Sequence, residues 1–241
     1  MPYRRLPNTD KSRIRALEKA FEMGEKLSLP ELAYSQEVFY KLKNFLPKYK
    51  QVINSQKSSF SNQVQNSKKY KESFKKLKIY LSHFIQVLNF AIIRNEIKPE
   101  VKKYYKLKVS NSTIPKLNTE QELIDWSKNL INGEKQRILK GGTAIHNPKI
   151  AMVQIYSEKF LKAYKYQKTL QDMNNRALDK ISNLRPEADN LIQKVWNEIE
   201  KNFNELPSIV RRERAKEYGL VYVYRKNETK IILNDIISVQ T

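Results

Sequence analysis

One stretch, 147–184, restricts the possible folds more than any other. Asn147-Pro148 reads as a side-chain cap followed by a proline at the first helical position. Apolar residues then recur on one face: Ile150, Val153, Tyr156, Phe160, Ala163, Tyr166, Leu170, Met173, Ala177, Ile181 and Leu184. The steps are threes and fours, averaging about 3.4, close to the spacing of a helix packed lengthwise along other helices. No glycine or proline interrupts the pattern before Arg185-Pro186. A helix of roughly 55 Å is therefore expected, at about 1.5 Å per residue, and it needs long partners to cover its seam. The fold class that follows is mainly all-α: an up-and-down bundle of long antiparallel helices with a small C-terminal β-hairpin. The 5 glycines in 241 residues agree with this, because a many-stranded sheet needs more tight turns.

The rest of the chain supplies the partners. Residues 1–9 read as an extended arm, and Asn8 or Thr9 can cap a helix over about 10–26, ended by Gly24 and Pro30. From Phe39 a second seam runs through Leu42, Leu46, Tyr49 and Ile53, with a kink or restart expected at Pro47. A polar run, 54–69, separates it from a third seam at Phe74, Leu77, Leu81, Phe84, Leu88 and Ile92. The two seams are almost in phase. Either one very long helix spans 35–95 or two helices turn back near 55–67, and the polar composition favours the turn. Pro99 starts a short helical piece, and 108–117 reads as a loop. Thr119 with Glu122 forms a capping box for a helix that carries Leu123, Trp126, Leu130, Ile131 and Ile138. Gly133 is a weak point within it, and Gly141-Gly142 ends it. Pro186 restarts a helix with Leu191, Ile192, Val195, Trp196, Ile199 and Phe203 on one face. After Pro207, Ser208 to Tyr218 reads as a short basic helix. The runs 220–224 and 229–233 form a plausible hairpin. The whole reads as a single domain over 1–241, with an N-terminal arm and helix at 1–34, a bundle core at 35–205 and a short helix plus hairpin tail at 206–241.

Several chemistries are excluded or unsupported. With 0 cysteines there is no disulfide, thiol nucleophile or thiolate-bound metal. His83 and His146 are the 2 histidines, and neither follows a Glu at the spacing of a di-iron helix pair. His83 reads as a core or interface residue, and His146 as loop packing ahead of a helix. Glu198, Glu200 and Glu205 flank an apolar face without pairing. Gly141-Gly142-Thr143 lacks the lysine and spacing of a phosphate-binding Walker loop, though its backbone N–H groups could meet an anion; it reads first as a helix stop. No catalytic, cofactor-binding or metal-binding residues are expected, and the chain does not read as an enzyme. The most apolar run, 84–93, is about half a membrane span. No signal peptide is visible, so a soluble cytoplasmic protein is the default expectation.

Charge is the strongest functional pointer. The net charge is +21, from 46 basic and 25 acidic residues. A field of that size attracts nucleic acid, anionic lipid or acidic protein. Coding bias toward Lys, Asn and Ile offers the plain alternative of a solvated basic surface, and Lys outnumbers the Arg that base readout favours. Three clusters hold the candidate contacts: Arg4 and Arg5; Lys68, Lys69, Lys71, Lys75, Lys76, Lys78, Lys102 and Lys103; and Arg211, Arg212 and Arg214. Tyr70, Tyr80, Tyr104 and Tyr105 interleave with the second cluster and could offer rings to bases.

Four stretches carry a resemblance: Arg4 to Asp10, Ser82 to Val87, Gly141-Gly142-Thr143 with Asn147-Pro148, and Glu217 to Val223. On these the chain resembles an uncharacterised helical protein family of Bacteroidota. The resemblance implies one full-length helical domain, and no activity comes with it. The expected function is a non-enzymatic basic bundle that binds an acidic partner, such as nucleic acid or an acidic protein, without sequence specificity. The alternative is a structural or assembly protein that pairs with another chain, or a second copy of itself, through helical seams or the C-terminal hairpin.

Overall fold

The computed structural model describes residues 3–224. The order of elements is β1 (Tyr3–Arg4), α1 (Asp10–Lys26), a 3-10 turn (Leu29–Glu31), α2 (Gln36–Ile93), a 3-10 segment (Pro99–Tyr105), α3 (Glu120–Leu139), α4 (Ile150–Asn202), α5 (Ser208–Glu217) and β2 (Tyr222–Val223). The protein is mainly all-α, with a small two-stranded antiparallel sheet. No helix of the described residues is long and apolar enough to cross a membrane.

The seam pattern is followed, with two corrections. The favoured turn near 55–67 does not occur: α2 is one helix of 58 residues. The reason lies in its register. Leu42, Tyr49, Leu77, Phe84 and Ala91 are buried and fall on one seven-residue row, and Gln56, Gln63 and Tyr70 hold its intervening positions half-buried. A chain turning back would have no reason to keep that phase. The polar run marks exposure and does not mark a change of direction. Likewise α4 does not stop at Leu184 but runs through Pro186 to Asn202. Pro47 and Pro186 both lie on exposed faces, where water can reach the carbonyl four residues back that a proline leaves without its donor.

The seam of α4 is also shifted from the expected one. Tyr166 and Met173 are exposed, while Gln167 and Asn174 are buried in their place. The buried row Val153, Phe160, Gln167, Asn174, Ile181, Ala188 and Val195 repeats every seven residues. An apolar-only reading drifts off this row because two of its positions carry amides. The helix also begins later than expected. Residues 146–149 form a turn ahead of Ile150, with Asn147 at φ 43°, and the pair does not cap the helix.

The contacts gather into two compact units whose boundaries fall inside α2 and α4. The first comprises Met1–Ser58 with Asn175–Thr241. Its core joins Leu17 and Ala20 of α1, Leu42, Leu46 and Tyr49 of α2, and Ile192, Val195, Trp196 and Ile199 of α4. Glu198 accepts from the Ser35 N–H at 2.7 Å, and Arg185 meets Asp10, which also receives the Tyr49 hydroxyl, so α2 and α4 run antiparallel here. Thr9 caps α1 through a reciprocal box with Ser12. Tyr3 pairs with Val223 and Arg4 with Tyr222; the expected second hairpin arm, 229–233, lies outside the described residues.

The second unit is Ser59–Asn174. Leu77, Leu81, Phe84 and Leu88 of α2 pack with Leu123 and Leu130 of α3 and with Val153 and Phe160 of α4. Ring contacts Tyr70–Tyr164, Phe74–Phe160 and Tyr80–Tyr156 show the antiparallel run of α2 and α4. At the polar end of this seam, Asn66 Nδ2 donates to Gln167 Oε1 at 2.8 Å. The expected capping box of Thr119 and Glu122 starts α3. Gly133 is a packing necessity and not a weak point. A Cβ there would lie 2.6 Å from both the Tyr104 carbonyl and the Tyr105 ring. Its absence lets the 3-10 segment lie directly against α3.

Candidate anion-binding surfaces

The second unit carries 22 Lys and Arg against nine Asp and Glu, a net +13 of the chain's +21. What its carboxylates do matters more than the count. Glu96 is held by both arms of Arg94 at 2.6 and 3.0 Å. Glu120 accepts from the Tyr70 hydroxyl. Glu122 accepts from the Asn118 and Thr119 N–H groups at the start of α3. Glu134 is inside the unit. Asp125 and Glu158 accept from Gln121 and Gln154. Among the described residues, no lysine of this unit is in an ion pair. The first unit differs: Lys19, Lys41, Lys50 and Lys216 all pair with glutamates.

Lys68, Lys71, Lys75 and Lys78 recur at steps of three, four and three, so they share one face of α2. Lys68, Lys69, Lys71, Lys75 and Lys76 are exposed, while half-buried Lys78 donates to Asn118 at 2.9 Å. Lys103 is exposed. Lys102 does not belong with the candidate contacts. It is 2% exposed, and its Nζ donates to the Asn111 carbonyl at 3.0 Å, which ties down the loop after the 3-10 segment. Nor are the interleaved tyrosines free for bases. Tyr80 stacks on Tyr156 at 4.2 Å, Tyr70 stacks on Phe160, Tyr105 is fully buried, and Lys140 sits over Tyr104. These four tyrosines are engaged within the fold and are not offered to bases.

The other two clusters meet within the first unit. Arg4, Arg211 and Arg212 line one cleft of about 380 Å³ with Lys201, Glu200 and Tyr222. Arg4 is already committed there: Nη1 donates to Asn197 and Glu200, and the guanidinium lies over Trp196. Arg211 donates to Asn204. Arg212 lies 6.0 Å from the Tyr224 ring centroid. Arg5 lines a different cleft, and Arg214 is exposed on α5. Glu198 and Glu200 are structural acceptors in this unit.

Sequence reasoning misses a second feature of the lysine-rich unit. A cleft of about 970 Å³ opens between the C-terminal part of α2, the 3-10 segment and the loop 140–147. Beneath it Tyr105, Glu134 and Arg137 form a buried triad. Tyr105 donates its hydroxyl to Glu134. Arg137 grips both carboxylate oxygens at 2.9 Å through Nε and Nη2, and Nη2 also donates to the Thr143 carbonyl at 2.6 Å. The Ile145 N–H donates to Glu134 at 2.9 Å. Burial pushes the Glu134 carboxyl upward, but Arg137, the Ile145 N–H and Tyr105 outweigh it and hold Glu134 below the usual carboxylate range. Burial and the adjacent carboxylate push the Tyr105 phenol up, so it stays a donor. The triad thus pins the loop to α3. His146 is exposed on the cleft lining; His83 is exposed on α2 and is no core residue.

Neither a protein-family model, nor a curated protein, nor a solved structure matches the chain.

Proposed function

We propose that the protein is a non-enzymatic helical bundle that binds a polyanion, nucleic acid in the first instance, through the lysine surface of its second unit. The observation that supports this is that, among the described residues, the lysines there have no ion pair, while Glu96, Glu120, Glu122 and Glu134 serve Arg94, Tyr70, the start of α3 and the buried triad. A coding bias toward lysine would enrich both units alike. It would not by itself keep the lysines of one unit out of ion pairs while those of the other form them. The stripe Lys68–Lys78 extends about 15 Å, the rise of about four base steps. Lysine is a point charge without the bidentate fork of arginine, and the neighbouring rings are occupied, so recognition is of phosphates and carries little sequence preference.

Titration of the full chain with mixed-sequence duplex DNA and with RNA at roughly 50 and 200 mM salt tests this. Affinity is expected to fall steeply over that range. The variant K68E/K71E/K75E is expected to bind weakly and with a slope shallower by about 0.9 for every phosphate it no longer neutralises. No binding at the lower salt, or an unchanged slope in the variant, removes the proposal.

A second reading, assembly through helix faces, is favoured by one observation. Ile79, His83, Gln86, Phe90 and Ile93 form an exposed stripe on α2, with Ile79, Phe90 and Ile93 each more than half exposed. That stripe suits a second helix.

A further inference from the structure

We propose that the cleft beside loop 140–147 is a binding site for a small amphiphilic anion: a phosphate or carboxylate carried on an apolar group. This does not depend on the polyanion reading, because none of Lys68, Lys71 and Lys75 lines the cleft.

Three features carry the inference. The first is Arg137. It is 4% exposed, and its Nε and Nη2 are committed to Glu134, Tyr105 and Thr143. Nη1 has no hydrogen-bond partner among the described residues, although Arg137 lines the cleft. A guanidinium held rigidly on one edge, with its remaining nitrogen unpaired at a cavity wall, is a preorganised oxyanion donor. The second is Gly142. A Cβ there would lie 2.8 Å from Nη1, so glycine keeps the approach to that nitrogen open. The third is the lining. Lys98 and Lys140 add positive charge, while Arg94 and the one carboxylate of the lining, Glu96, pair with each other. Val87, Ala91, Ile97 and Val101 line the same space. About 970 Å³ is far more than an inorganic ion fills, and it lies within the range of small-molecule sites. Charge alone would suit phosphate; charge with an aliphatic lining suits an organic anion.

The test uses the full chain and phenyl phosphate as probe, with inorganic phosphate alongside, by titration calorimetry at about 150 mM salt, where surface attraction is screened. One saturable site per chain is expected, with inorganic phosphate weaker by at least roughly tenfold because it cannot use the apolar lining. Gly142→Ala and Lys98→Glu are each expected to weaken phenyl phosphate by at least roughly tenfold, while K68E/K71E/K75E leaves it unchanged. Gly142 is outside the positive-φ region, so alanine suits its backbone; its Cβ would also approach the Arg137 carbonyl at 2.9 Å. Should that variant not fold, exposed Lys98→Glu decides. The inference is overturned by no saturable binding up to roughly 10 mM probe, by inorganic phosphate binding as tightly, or by Lys98→Glu binding as the parent does.

Discussion

Glu134 shows most clearly how single residues are constrained in this molecule. It continues the buried stripe of α3 after Leu123, Ser127 and Leu130, and Arg137 is the next position on that stripe. A charge placed there has to be answered inside the protein. Glu134→Ala would leave the Arg137 guanidinium buried without its carboxylate, and a loss of about 3–5 kcal/mol is expected in urea unfolding. E134L/R137L removes both charges and is expected to cost clearly less than Glu134→Ala. If the single and double variants lose equal stability, the pair is not coupled as described. The spacing Leu123, Ser127, Leu130, Glu134, Arg137 is legible in the sequence as four, three, four, three. It is easily passed over, because Glu-x-x-Arg on a helix ordinarily marks a solvated pair. Lys102 misleads for a related reason: nothing in its neighbours Val101 and Lys103 shows that a loop carbonyl waits for its ammonium.

At the scale of elements, α1 and α4 are fastened by ions as well as by core. Arg185 donates to both Asp10 oxygens at 2.9 and 2.8 Å, Tyr49 adds its hydroxyl at 2.8 Å, and Arg13 binds Asp189 through both its arms. The Arg185 hydrogen bond, foremost, holds the Asp10 carboxyl below its ordinary 3.8, despite partial burial pulling the other way. A lowered folded-state value means that the contribution is complete above the unfolded value and fades as pH falls through the folded one. The difference in melting temperature between the parent and Asp10→Asn is therefore expected to be constant above about pH 5 and to shrink below about pH 4. A difference that does not change with pH would show that the carboxylate contributes by shape alone. The register of these elements is largely readable. The rows through Leu42 and Leu77 share one phase, and that phase carries the answer that composition obscures. Amides at Gln56, Gln63, Gln167 and Asn174 hide a seam from anyone tracing apolar residues only. The α4 start is not readable, because Asn147-Pro148 has the composition of a cap in a chain that uses it as a turn.

Over the whole molecule, charge is distributed unevenly and so are its partners. In the first unit Lys19, Lys41, Lys50 and Lys216 pair with glutamates; in the second, among the described residues, the ion pairs belong to arginines and none to a lysine. The lysine excess of the second unit can be counted in the sequence; which carboxylates its lysines meet cannot. The exposed stripe of Ile79, Phe90 and Ile93 makes a separate, global expectation: light scattering at rising concentration should detect association, and Phe90→Glu should abolish it. A strict monomer at high concentration would leave the stripe as ordinary surface. Association that survives Phe90→Glu would place the contact elsewhere.

The pairing of Tyr3 with Val223 and Arg4 with Tyr222 has a mechanical corollary. The two short strands run in opposite directions, and the earliest residue of one lies beside the last residue of the other. Tension applied outward at both would peel the rungs apart in succession rather than shear them together. Arg4 holds Glu200 behind this clasp, but its rungs open one at a time under a pull.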